Sequence, residues 1–293
     1  MKRCPHCATD FDLPLWECPS CSFSPSLIRG FPAFATDLAD GGGGFQPEAF
    51  AELAALEEGN FWFRARNKLI IWALQRHFPE INKYLEIGCG TGFVLAAVVN
   101  SYPHVKATGS EIFSIGLPFA SRRVENAELF QMDARAIPYC EEFDVIGAFD
   151  VLEHIEEDEL VLSEMLRAVK PGGGIVVTVP QHPSLWSVQD EHACHVRRYR
   201  RGELRQKVMD AGFQIELETS FVSLLLPAMY ASRLTKRKRH ENMDLTDELR
   251  LPGAINITFE MLMGIERQFI RFGVRFPLGG SLLLVAKKQV DQP

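Results

Sequence analysis

Tyr84-Leu-Glu-Ile-Gly-Cys-Gly-Thr-Gly-Phe93 decides the fold: a short strand, Tyr84 to Ile87, runs into glycines at 88, 90 and 92. Residues without a Cβ let the backbone turn sharply after a buried strand and let a ligand lie against the peptide planes, with free N–H groups of the next helix facing it. This is a nucleotide site. The dinucleotide fingerprint Gly-x-Gly-x-x-Gly would need glycine at position 93, where the chain has Phe93, so NAD is the weaker reading. A second acidic residue is expected at the end of the next strand, to take ribose hydroxyls, and Glu111 stands about 20 residues beyond the glycines.

Outward from that stretch, apolar runs alternate with helical patterns. Strands are expected near 84–88, 106–111, 127–132, 143–149, 174–180, 213–221 and 280–286, and helices near 91–100, 114–123, 157–169 and 202–211. This is the repeat of an α/β, doubly wound, Rossmann-like sheet of seven strands. About 60 residues separate the last two strands where a hairpin needs only a few, so 220–279 is read as a helical insertion on the acceptor side, with a helix over 257–272. Two helices, 47–58 and one following Asn60, precede the sheet.

Four of the seven cysteines fall in the first 21 residues, as Cys4-Pro-His-Cys7 and Cys18-Pro-Ser-Cys21. Two Cys-x-x-Cys pairs separated by a segment able to form a hairpin match a tetrahedral zinc ribbon, with Cys4, Cys7, Cys18 and Cys21 as ligands to a structural Zn²⁺. Residues 1–40 are read as ribbon and linker and 45–293 as the α/β domain, divided at the glycine run 41–44. Residues 22–35 show no clear period. The 293 residues, 46% hydrophobic, can fill a sizeable core, and the net charge of −7 argues against a surface devoted to nucleic acid. Met1-Lys-Arg leads straight into Cys4 with no apolar run, so a cytoplasmic location is expected.

Glu86-x-Gly88-x-Gly90-x-Gly92 resembles the first motif of class I S-adenosylmethionine-dependent methyltransferases, and the order of elements over about residues 60–288 is similar to that family. The resemblance implies S-adenosyl-L-methionine as cofactor, held by Glu86, Gly88, Cys89, Gly90 and Gly92 at its amino-acid end and by Glu111 and Ile112 at its ribose. Asp133-Ala134 resembles the segment that reads the adenine edge, and Phe149-Asp150 the segment under the methionine. A few quinone-pathway O-methyltransferases hold a divalent cation at this place, which here would fall to Asp150, Glu153 and His154.

Residues 181–199, after the fifth strand, combine two carboxylates, three histidines, two arginines and a tyrosine at the ligand end of the sheet. A hydroxyl acceptor needs a base, and His192 or His195, oriented by Asp190, can supply it; His154 is the further candidate. The alternative is a salt-bridged lid. Apolar residues 219–232 are too few to span a membrane and meet the basic run Arg233-Leu-Thr-Lys-Arg-Lys-Arg-His240, which suits a lipid- or sugar-linked acceptor and a peripheral position at a membrane. Two other functions compete with a small-molecule methyltransferase. An N-terminal Cys₄ ribbon resembles certain ribosomal-RNA methyltransferases, though the Asn/Asp-Pro-Pro-aromatic motif of amine methylation is absent after the fourth strand. A non-catalytic cofactor-binding protein would keep the same pocket.

Overall fold

The computed structural model describes residues 1–41, 49–236 and 251–290, and side chains up to residue 231 in the second of these segments. Residues 42–44 of the expected hinge, the helix start at Pro47 and the basic residues 237–240 lie outside the described residues.

The N-terminal strands β1 (Lys2–Arg3) and β2 (Asp10–Phe11) form a small antiparallel ribbon, followed by the hairpin β3 (Ser26–Ile28) and β4 (Phe31–Ala33). Then come α1 (Ala49–Leu56), α2 (Phe61–His77), β5 (Lys83–Ile87), α3 (Phe93–Ser101), β6 (Lys106–Glu111), α4 (Leu117–Arg123), β7 (Glu128–Gln131), β8 (Phe143–Phe149), α5 (Asp158–Ala168) and β9 (Val169–Pro180). The last elements are α6 (Val188–His192), α7 (Glu203–Asp210), β10 (Phe213–Phe221), α8 (Leu226–Lys236), α9 (Gly253–Arg271) and β11 (Ser281–Lys288). Asn60 starts α2 by accepting the Trp62 amide at 2.8 Å, the expected cap at a helix N-terminus.

The main sheet runs β10-β11-β9-β8-β5-β6-β7-β4-β3, with β9-β8-β5-β6-β7 parallel and β11 antiparallel to both its neighbours. β8, the second half of β9 and β11 carry nearly continuous apolar runs because both faces of the sheet are covered there. Tyr84, Val176 and Leu283 pack under α2 and α3 residues Ile70, Leu74 and Leu95, while Leu85, Val177 and Leu284 pack against Val161 and Leu162 of α5 and Leu204 of α7. The chain goes from β5 to one side through β6 and β7 and to the other through β8 and β9, so the crevice for a ligand opens at the carboxyl end of β5.

Four expectations need correction. The sheet has nine strands where seven were expected: residues 22–35 supply the hairpin β3–β4, and Ala33 of β4 pairs in parallel with Gln131 of β7. Three-residue strands containing Pro32 are too short to show a period. The strand expected near 174–180 already begins at Val169, and Gly172, Gly173 and Gly174 lie at a register shift of β9 against β8. Within the polar stretch 181–199, residues 188–192 are helical, closed by a capping box between Ser187 and Asp190. The insertion helix α9 begins at Gly253, four residues before the expected start.

The ribbon packs against the edge of this sheet. Arg3 N–H donates to the Pro138 carbonyl at 3.0 Å, Cys140 N–H to the Met1 carbonyl at 2.9 Å, and Trp16 lies edge-on to Phe34 and Tyr139.

Candidate active site

A cavity of about 1080 Å³ opens where β5, β6, β7 and β8 end. Gly88, Gly90 and Gly92 all have positive φ, but they serve different ends. A Cβ on Gly92 would lie 2.9 Å from Ala120 Cα, so this glycine lets α3 approach α4, and it does not line the cavity. A Cβ on Gly90 would find nothing nearer than the Phe50 ring at 3.9 Å. The open side of the turn therefore lies at Gly90.

Glu111, at the end of β6, accepts the Gly90 amide at 3.0 Å and the Phe113 amide at 3.1 Å. Burial pushes its carboxyl up, and the three amides of Phe113, Gly90 and Ile112 act the other way. Asp133 accepts Arg135 Nη2 at 2.8 Å at the end of β7. Behind the glycines, Thr91 donates to Glu57 at 2.6 Å, and Arg123 donates to Glu57 at 2.6 Å and to Thr91 Oγ1 at 2.7 Å. No spacing in the sequence marks this cluster. Its partners come from three separate elements, and only the polar Thr91 inside the glycine turn hinted at it.

Glu86 is fully buried in β5, and the Tyr84 hydroxyl donates to it at 3.3 Å. Burial pushes it up to about 8, opposed by the Arg66 guanidinium. Arg66 pairs with Asp150 and lies over the Trp62 ring, 4.4 Å from its centroid, while Arg64 turns away to Glu260 on α9. Of the candidate cofactor residues, Glu86, Gly88, Cys89, Gly90, Glu111, Ile112, Asp133, Ala134, Phe149 and Asp150 line the cavity.

The opposite wall comes from residues 181–199. The His-x-Arg-Arg-Tyr run divides its work by residue. Arg197 and Tyr199 pin the loop to α5 through Asp158, at 2.8 and 2.6 Å, and the Val196 amide donates to the Glu153 carbonyl at 2.8 Å. His195 and Arg198 thereby reach the cavity wall. Asp190, buried, sits 2.9 Å from His195 Nδ1 and accepts Arg198 Nε at 2.7 Å and the Ser187 amide at 2.8 Å. These bonds to His195 and Arg198 outweigh its burial and hold it down at about 2. His154 lines the cavity with its ring against that of His195, centroids 4.8 Å apart; its burial first, and then His195, lower it to about 4. His192 is half-buried on α6, outside the cavity wall.

The insertion closes the far end with apolar side chains, among them Leu225, Met229, Leu251, Ile255 and Phe259. Glu266 of α9 holds the turn after β10 by accepting the amides of Val222, Ser223 and Leu224 at 2.7 to 2.8 Å, and Asn256 accepts the Phe61 amide at 2.8 Å. The outward face of α9 carries exposed Ile257, Met261, Ile265 and Phe269, a stripe with four-residue spacing.

In the ribbon, Cys4 Sγ and Cys21 Sγ are 3.6 Å apart and Cys7 Sγ and Cys18 Sγ 3.5 Å apart. These separations are too long for disulfides and close to the ~3.8 Å edge of a tetrahedron with ~2.3 Å zinc–sulfur bonds. The two loops repeat one geometry: Ala8 N–H donates to Cys4 O and Ser22 N–H to Cys18 O, both at 2.9 Å, with φ of 57° at Ala8 and at Ser22. The four cysteines fit a structural zinc ion.

A family model described as "Methyltransferase domain" matches residues 54–218. A probable S-adenosylmethionine-dependent methyltransferase of Mycolicibacterium smegmatis is 24% identical over 56% of this chain and 63% of its own length. A phosphatidylethanolamine N-methyltransferase of Cereibacter sphaeroides is 36% identical over 32% of this chain and 49% of its own. The chain spans less than two thirds of the length of these relatives. Among solved structures, a chain of the complex between the Haloferax volcanii Trm112 methyltransferase activator and a putative methyltransferase superposes with a TM-score of 0.55 at 17% identity, covering 84% of this chain and 99% of that one. The [4+2]-cyclase SpnF superposes with a TM-score of 0.53 at 21% identity, over 78% and 84%. At such identities the likeness speaks for the fold alone.

Proposed function

The chain belongs to the methyltransferase-domain family, and on that premise we propose that it transfers the methyl group of S-adenosylmethionine to a small or lipid-linked acceptor. The observation that carries this reading is the convergence of Gly90, Glu111 and Asp133 from three adjacent strand ends on one cavity. In this reading the cofactor supplies an electrophilic methyl group on a sulfonium. Glu111 takes the ribose hydroxyls, Asp133 the adenine edge, and Glu86 with Arg66 the charged amino-acid end. Glu86 is mostly protonated below about 8 in the free protein, so pairing with an ammonium would release its proton.

Methyl transfer needs the acceptor in line with the breaking bond, so positioning supplies much of the catalysis. The pair Asp190–His195 prepares a hydroxyl acceptor: the carboxylate fixes the ring through Nδ1 and leaves Nε2 toward Glu153. Leu225, Met229 and Phe259 suit an acceptor with an apolar portion, and the outward stripe of α9 suits a seat on a membrane surface. No described helix is long and apolar enough to cross a membrane. A structural zinc at Cys4, Cys7, Cys18 and Cys21 braces the ribbon against the sheet edge.

Incubation with methyl-labelled S-adenosylmethionine and a cell extract should yield S-adenosylhomocysteine and label extractable into organic solvent. Binding without turnover would instead indicate a non-catalytic cofactor-binding protein, and nuclease-sensitive label an RNA substrate.

A further inference from the structure

Beneath the acceptor loop, residues 181–199, side-chain atoms of Glu153 and His154 that lack partners lie side by side. Both carboxylate oxygens of Glu153 and Nδ1 of His154 are buried without a hydrogen bond. Glu153 is wholly shielded from solvent, and one of its oxygens lies 3.9 Å from His195 Nε2. One ligand atom from each of Glu153, His154 and His195 can be chosen so that all three lie within 4.8 Å of one another. A buried polar group left unpaired is costly, and a carboxylate far more so than a neutral group. Two such residues, with His195 Nε2 3.9 Å from the Glu153 carboxyl, leave a place for a cation.

We propose that Glu153, His154 and His195 hold a divalent transition-metal ion. The surroundings of the two imidazoles support it. A ligating histidine almost always gives its other ring N–H to a carboxylate or a backbone carbonyl, which fixes the ring and leaves a lone pair for the metal. Asp190 stands 2.9 Å from His195 Nδ1 and is itself held by Arg198 and Ser187. The His154 ring stands against that of His195, centroids 4.8 Å apart. The loop is tied in register by the Val196 amide on the Glu153 carbonyl and the His195 amide on the Asp190 carbonyl, both at 2.8 Å, so the two halves of the set are fixed against each other although 41 residues apart.

Two imidazoles and one carboxylate suit zinc or iron(II) better than magnesium or calcium, which prefer oxygen ligands throughout. Three protein ligands leave a coordination position free, and all three residues line the cavity, so an oxygen of the acceptor can complete the shell. This role for the open position rests on the methyltransferase reading and replaces the proton role of His195 there, since Nε2 cannot take a proton while it holds an ion; metal binding by the three residues does not rest on it. The set differs from the one that the quinone-pathway resemblance implies: Asp150 is engaged by Arg66, and His195 from the acceptor loop takes its place.

The full chain, equilibrated with zinc and then gel-filtered, should carry about two zinc ions by elemental analysis, one of them in the ribbon. Glu153→Gln and His195→Asn should each lose one equivalent. The double variant Cys18→Ser/Cys21→Ser should lose the other. Asp190→Asn, which removes the carboxylate behind His195, should weaken the second site about 10- to 100-fold. Circular dichroism checks that each variant is folded, and should Glu153→Gln fail to fold, His195→Asn carries the test alone. A parent that holds only the ribbon zinc, or folded variants at Glu153 and His195 that keep both ions, overturns the proposal. Titration with S-adenosylmethionine runs in parallel: a parent that takes the second zinc but not the cofactor would refute the functional reading and leave the metal site standing.

Discussion

The wall of the cavity that holds Gly90, Glu111 and Asp133 comes from three adjacent parallel strands and the turns that end them, whereas the opposite wall brings together Glu153, His195, Met229 and Phe259 from four separate stretches. The first wall is fixed by the sheet: each side chain sits where a strand stops, and neighbouring strands pair residue by residue, as Glu111 does with Gln131. The second is fixed by side chains that tie loops down, Asp158 for the acceptor loop and Glu266 for the turn ahead of α8. A site built this way keeps its cofactor half constant while the acceptor half can change with a few anchoring residues.

The sharpest way to separate the two walls is to damage one and measure the other. His195→Ala should lower turnover about 10²-fold or more, the effect of losing either a base or a ligand that positions the acceptor, and leave cofactor affinity nearly intact. His192→Ala, away from the cavity, should change neither. A loss of cofactor affinity in His195→Ala equal to its loss of turnover would show that the walls are one unit.

The cofactor wall was readable in the sequence because its determinants are local. A strand, three glycines, and an acid at the end of the next strand lie within about 30 residues, and parallel strand ends share one edge of the sheet. The expected strands coincide with β6, β8 and β10 to within a residue or two: β8 is a buried, mostly apolar run, and β10 alternates apolar and polar residues over its first half. The hairpin β3–β4 was not readable: its pairing with β7 is made with a segment about 100 residues away, and that contact supplies the order its own three-residue strands lack. Glu153, His154 and His195 were visible as residue types, but their convergence depends on a backbone bond between Val196 and Glu153 that no spacing encodes. Arg197 and Tyr199 look as functional as His195 in the sequence, yet they serve Asp158.

A smaller effect tests the cofactor wall from inside. Burial raises Glu86 to about 8 in the free protein, so the folded chain keeps a proton that the unfolded chain has already released above the ordinary carboxylate range. Its contribution is therefore greatest in acid and is lost as the pH rises through about 8. Relative to Glu86→Gln, the ligand-free parent should lose Tm progressively between about pH 5 and pH 8. Parallel Tm profiles for the two would show that the Glu86 carboxyl is not held neutral by burial.

Calorimetric titration of the parent and of Gly90→Val with S-adenosylmethionine, and of the parent with NADH, tests the central assignment most directly. A branched Cβ at φ +54° would strain the turn and fill the side of it that opens to the cavity. The parent should bind S-adenosylmethionine more tightly than NADH, and Gly90→Val should bind it no longer. A Gly90→Val chain that binds S-adenosylmethionine as well as the parent, or a parent that prefers NADH, would contradict the assignment.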